Sequence, residues 1–138
     1  MTTERYSHTI TLRGADIIGE LQQFKAGYLK ALAHPVRIRI LEILRAGESS
    51  VTDIGAQLDP GVANVSQHLS VLRTAGIVTA QKSGLSVLYS VRDQEVFTVL
   101  DALREIFTHR LDSMQTTLAA DDADHPQGKP GKRRQVRA

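Results

Sequence analysis

A mainly α-helical chain with some β structure, about five helices and one two-stranded β-hairpin, is the fold class that this sequence predicts. Three observations predict it. Apolar residues recur three and four apart through most of residues 15–118, the period of an amphipathic helix. Only after Gly76 does the period fall to two, over two short runs separated by Ser83-Gly84. Proline and glycine punctuate the helical stretches at His34-Pro35, Gly47, Asp59-Pro60-Gly61 and Gly76.

The elements follow in order. Ile17, Leu21, Phe24, Tyr28 and Leu32 form the stripe of a first helix. Pro35 suits the first turn of a second helix, which runs to about Arg45. Its residues Val36, Ile38, Ile40, Leu41, Ile43 and Leu44 cover more than half its circumference, so it should be the most buried element. A third helix spans about Val51–Leu58, with Ser50 or Thr52 as its cap. A fourth spans about Ala63–Ala75 and stops at Gly76. The runs 77–82 and 85–91 make the hairpin. A long last helix opens near Asp93 and carries Val96, Leu100, Leu103, Phe107, Leu111, Met114 and Leu118 on one stripe.

The ends differ from this body. Residues 1–14 read as a flexible arm and residues 119–138 as a disordered basic tail, leaving one domain at 15–118. Lys129, Lys132, Arg133, Arg134 and Arg137 supply five of the 17 basic residues, so the rest of the chain holds 12 against 15 acidic ones, a net of −3. The formal charge of +2 therefore resides in the tail, and overall charge does not point to nucleic acid. The tail either adds sequence-independent attraction to phosphates or only solubilises the end. Cysteine is absent, which excludes disulfides and thiolate metal sites. No apolar run reaches the roughly 20 residues of a membrane span, and Met1–Arg13 lacks the apolar core of a signal peptide, so the expectation is a cytoplasmic protein.

The third and fourth helices, joined by a tight turn, meet the requirements of a helix-turn-helix. On the fourth, Val65, Leu69 and Leu72 share one side, while Ser66, Gln67, Ser70 and Thr74 lie on the other with Arg73 on its flank. Such a face suits base-edge and phosphate hydrogen bonding: Gln67 to adenine, the serines to bases or phosphates, Arg73 to guanine or phosphate. A merely solvated helix face is the plain alternative. The hairpin after it favours DNA, because Lys82-Ser83-Gly84 places a cation and a flexible tip where a wing meets the neighbouring backbone.

At this point the chain resembles a family. Residues 32–41, LAHPVRIRIL, look like the opening signature of the ArsR/SmtB-type bacterial repressors. Residues 64–78, NVSQHLSVLRTAGIV, resemble their recognition helix and entry to the wing, and Gly84 and Tyr89 match the wing turn and returning strand. The similarity covers roughly residues 17–118. It implies a winged helix-turn-helix that binds double-stranded operator DNA as a homodimer and leaves the promoter when a signal weakens that binding. DNA contacts are then expected at Asn64, Ser66, Gln67, His68, Ser70 and Arg73, with Lys82, Ser83 and Gly84 in the wing. For His68 packing against the domain is an equal expectation, and Arg37, inside an apolar arc, reads as a paired structural arginine. The dimer would use the first and last helices, through Ile17, Leu21, Phe24, Leu100, Leu103, Phe107 and Leu111.

Members of this family often sense a metal. One type of site needs cysteines where this chain has Ser49-Ser50-Val51-Thr52-Asp53, so thiolate sensing is excluded. Another pairs Asp and His early in the last helix with His and an acidic residue further on. His109 and Asp112 fit the second half, whereas Val96 and Thr98 occupy the first. Asp101, Glu105, His109 and Asp112 fall within about 80° of one another on a helical wheel, a set suited to Zn, Ni, Co or Mn or simply to solvent. His8 and His125 are further imidazoles that nothing in the sequence positions. A small-molecule signal, a constitutive repressor and a winged-helix protein-interaction module are the remaining alternatives. No phosphate-binding glycine loop, HExxH or serine elbow is present, so no enzyme is expected.

Overall fold

The computed structural model describes the backbone of residues 3–124 and the side chains of residues 17–124. His8, His125 and the basic cluster at 129–137 lie outside the described side chains. The order is α1 (Thr3–Leu32), α2 (Pro35–Leu44), β1 (Ser49–Ser50), α3 (Val51–Gln57), α4 (Val65–Thr74), β2 (Val78–Ser83), β3 (Ser86–Val91) and α5 (Glu95–Asp124). The chain divides into two units, one ending at Phe97 and one beginning at Thr98. Helix α1 includes residues 3–14, assigned above to an arm, and α5 continues six residues past Leu118.

The first unit is built around α2, as its apolar arc requires. Ile40 and Leu41 are fully buried, with Ile43 and Leu44 nearly so. His34 starts this helix: its backbone is extended, and its Nδ1 accepts from the Val36 N–H at 3.1 Å. At the other end the Arg45 guanidinium lies 4.8 Å from the centroid of the Phe97 ring. Ile54 of α3, Leu69 and Leu72 of α4, then Ile77 and Val78 complete the core, and no polar or charged residue among those described is buried with them.

Of the two caps the sequence offers for α3, Ser50 is the one used, its Oγ accepting from the Asp53 N–H at 3.2 Å. Two details differ from the sequence expectation. Ser49-Ser50 also forms a strand against Tyr89 and Leu88, so the sheet has three strands in the order β1-β3-β2. Two residues are too short to show a period, and only the open edge of β3 makes them a strand. The hairpin pairs Ser83 with Ser86, which moves the two-residue turn from Ser83-Gly84 to Gly84-Leu85. Gly84 takes φ 61° at the first central position, where a II′ turn requires glycine.

Helix α4 begins two residues later than its periodicity suggests. Asn64 sits just before it in the left-handed region, φ 63° and ψ 34°, with no side-chain cap. The C-terminus closes as a Schellman motif: the Ile77 N–H donates to the Leu72 carbonyl at 2.9 Å and the Gly76 N–H to the Arg73 carbonyl at 3.0 Å. Gly76 at φ 74° makes this reversal, and Leu72 and Ile77 on either side of it are both fully buried. The motif thereby fixes where the strand after α4 departs.

Candidate nucleic-acid interface

Burial decides which face of α4 is free. Leu69 and Leu72 are fully covered, whereas Ser66, Gln67, Ser70 and Arg73 are exposed. Among the described residues these four side chains have no hydrogen-bond or ion-pair partner within the chain. The helix therefore offers hydroxyl, carboxamide and guanidinium groups whose bonding capacity is met by solvent or by a ligand. Asn64 is exposed on the turn before them. Their type and direction suit the edges of bases in a major groove.

His68 is placed otherwise. It is half-buried, its ring 4.3 Å from that of His34, and its Nδ1 lies 3.4 Å from an Arg37 terminal nitrogen. A donating guanidinium makes Nδ1 the acceptor and puts the proton of the neutral ring on Nε2. Burial lowers the His68 pKa, and the neighbouring His34 and Arg37 lower it further. Arg37 itself donates through Nε to the Ala31 carbonyl and through a terminal nitrogen to that of Lys30 at 3.4 Å. The paired structural arginine expected at this position is thus a cap on the C-terminus of α1, tying α1, α2 and α4 together.

In the wing, Lys82 and Ser83 end β2 and Gly84 begins the turn, all exposed. Leu85, read from sequence as a strand residue, is instead fully exposed at the tip. Only the register of the hairpin reveals it there. A cross-strand contact between the Thr79 and Ser90 hydroxyls at 3.1 Å supports the hairpin at its base.

The last helix leaves the possible metal ligands apart. Among the described residues no three His, Asp or Glu side chains gather closely enough to hold an ion. Val96, at the first position of the upstream half-site, is buried in the core, and Thr98 brings no imidazole. Within one chain, Asp101, Glu105, His109 and Asp112 do not fit a metal centre. Of the seven residues expected at a dimer seam, Ile17, Leu21, Phe24, Leu103, Phe107 and Leu111 are exposed, between 43% and 63%. Leu100 is buried within its own chain instead. No helix among the described residues is long and apolar enough to cross a membrane.

Comparisons with known proteins agree with this geometry. The model of the bacterial regulatory protein, arsR family, matches residues 34–80, from the cap of α2 into β2. An uncharacterised HTH-type transcriptional regulator of Mycobacterium tuberculosis, Rv0081, is 38% identical over 96 residues, covering 66% of this chain and 81% of that protein. Its crystal structure superposes with a TM-score of 0.59 over 69% of this chain and 97% of that one, at 38% identity. The HTH-type transcriptional repressor SmtB of the same organism is 42% identical over 89 residues, 64% of this chain and 61% of that protein. A homodimeric winged helix-turn-helix DNA-binding domain from Mycobacterium bovis superposes with a TM-score of 0.62 at 26% identity, over 71% of this chain and 91% of that one. The match runs through the elements that bury one face of α4 and leave the other polar and unpaired, and the chain belongs to the arsR family of bacterial regulatory proteins, non-enzymatic DNA-binding regulators of transcription.

Proposed function

We propose that this regulator represses transcription as a homodimer, placing the α4 helices of two copies in successive major grooves of a pseudo-palindromic operator. The observation that carries this is the face made by Ser66, Gln67, Ser70 and Arg73, exposed and without a partner in the chain. Gln67 reads a base edge, Arg73 a guanine or phosphate, and Asn64 and the serines set the register. The wing residues Lys82, Ser83 and Gly84 follow the adjacent backbone. His68 acts from behind, holding α4 against His34 and Arg37 rather than touching a base.

The second copy is supported by the exposed apolar side chains of α1 and α5. Ile17, Leu21, Phe24, Leu103, Phe107 and Leu111 are more apolar than solvent-facing helices ordinarily are, and the M. bovis domain similar to this chain is a homodimer. Two-fold symmetry then sets half-sites about one helical turn apart, or roughly 34–36 Å. Footprinting on the gene's own promoter tests the proposal. Protection of an inverted repeat, lost in Gln67→Ala/Arg73→Ala, is expected; no protected repeat overturns it.

Release follows from a ligand that binds the DNA-free form better. A divalent metal such as Zn, Ni, Co or Mn, or a small molecule, serves this purpose in principle, but no three ligands gather among the described residues of one chain. Titration of each metal while following operator affinity separates the two. A change in affinity that is lost in His109→Ala would assign the Asp101–Asp112 stripe to a metal shared across the dimer, and unchanged affinity would leave it a solvated face.

A further inference from the structure

Beside the reading face, α1 and α4 leave an open groove of about 440 Å³. Its lining includes Gly27 and Lys30 of α1, Arg37 of α2, and Ser70 and Thr74 of α4. Ser70 and Thr74 also belong to the polar side of α4, so the groove and the reading face share side chains and open together. Two cations and two hydroxyls line the groove above an apolar floor of Ala31, Val71 and Ala75, and no carboxylate does. The Lys30 ammonium is exposed and has no ion-pair partner among the described residues.

A helix C-terminus ordinarily repels an anion, and this groove lies at that end of α1. Arg37 removes the objection. Its guanidinium donates to the Ala31 and Lys30 carbonyls in the last turn of the helix, so part of that end's negative charge is covered by a full positive one. With that charge compensated, the Lys30 ammonium and the two hydroxyls favour an anion. Gly27 leaves the upper wall open, since a methyl group built there meets nothing within 4 Å.

We infer that this groove seats a phosphate of the operator backbone beside the major groove entered by α4, with Lys30 as the cation and Ser70 and Thr74 as donors. The inference rests on the proposed DNA reading and adds to it a cation from α1, outside the helix-turn-helix and wing. A phosphate contact positions the protein without reading sequence. Its signature is therefore weaker binding to every duplex together with a shallower dependence on salt.

The test measures affinity for an operator duplex and an unrelated duplex of equal length across a salt series, using the full chain. Lys30→Gln is expected to weaken both by roughly ten-fold or more near 0.1 M salt, and to reduce the log–log slope by about 0.9 per phosphate, close to 2 for a dimer. Gly27→Glu, which puts a carboxylate into the groove without disturbing a positive φ, should weaken both at least as much; Lys30→Arg should retain binding. Matched thermal midpoints show that the variants fold. Parental affinity and slope in both Lys30→Gln and Gly27→Glu overturn the inference. If Gln67→Ala/Arg73→Ala still loses operator binding in that case, the DNA reading survives and only the groove contact fails. Should that double variant also bind normally, the reading itself has failed. Weakening of the operator alone, with unrelated DNA unaffected, also counts against a phosphate seat.

Discussion

Helices α4 and α5 are both amphipathic, yet they end in opposite situations. The apolar side of α4 is satisfied by its own chain: Leu69 and Leu72 are fully buried, and the polar side remains free. In α5 the stripe is covered only at its start, at Val96 and Leu100, while Leu103, Phe107, Leu111, Met114 and Leu118 stay exposed between 43% and 63%. The same 3.6-residue pattern thus marks two different kinds of surface. In α4 its polar side is what remains for a ligand. In α5 its apolar side is, and apolar area of that extent is what a second protein surface covers.

Substitutions at the covered and uncovered surfaces break or sharpen this contrast. Phe107→Asp puts a charge into the uncovered stripe. It should turn the proposed dimer into a single chain of 15.1 kDa by sedimentation and lower operator affinity by about 10²–10⁴-fold, because the half-sites no longer bind as one. Unchanged mass would remove α5 from the seam. Leu72→Ala cuts into the covered side of α4 and should cost about 2–5 kcal/mol in urea unfolding. Phe107→Ala should do far less to a monomer in the same measurement.

On the free side of α4, Gln67→Ala or Arg73→Ala should cost about 1–3 kcal/mol of operator binding, by fluorescence anisotropy, with little change in stability. Substitution at the buried side does the reverse. Gly84→Ala forces a methyl group onto φ 61° at the wing turn and should cost about 1–2 kcal/mol of stability. A cost near zero would mean that the turn relaxes.

The smallest expected effect is one of pH. His68 has a folded pKa below 6.5, so the unfolded chain binds its proton more readily. The stability linked to this group is therefore complete above the unfolded value and is lost as pH falls below about 6.5, through the lowered folded pKa. Thermal melts from pH 8 to pH 5 should decline less in His68→Gln than in the parent chain. Equal decline would place the acid sensitivity elsewhere.

Much of this contrast was legible from residue order. Spacing separated the two sides of α4 at Leu69 and Leu72 against Ser66, Gln67 and Ser70, and the proline at 35 and glycine at 76 marked real ends. Errors fell where local order carries no period: the two-residue strand Ser49–Ser50, the one-residue shift of the wing turn, and the late start of α4 after Asn64. Leu100 illustrates a different limit. It keeps step with Leu103 and Phe107 in the heptad-like stripe, yet it is buried in its own chain while they are not.

By itself, then, the sequence determined the helical order, the hairpin, the polar composition of the exposed face of α4 and the exclusion of thiolate chemistry. These depend on backbone periodicity and residue type, which act over a few positions. Tertiary structure alone decided that His34, Arg37 and His68 meet, that Arg37 covers the end of α1, and that Lys30 stands across a groove from Ser70 and Thr74. Arg37 and His68 are 31 residues apart, and Lys30 and Ser70 are further apart still. Contacts over that separation follow from how α1, α2 and α4 pack, and no short-range pattern specifies them.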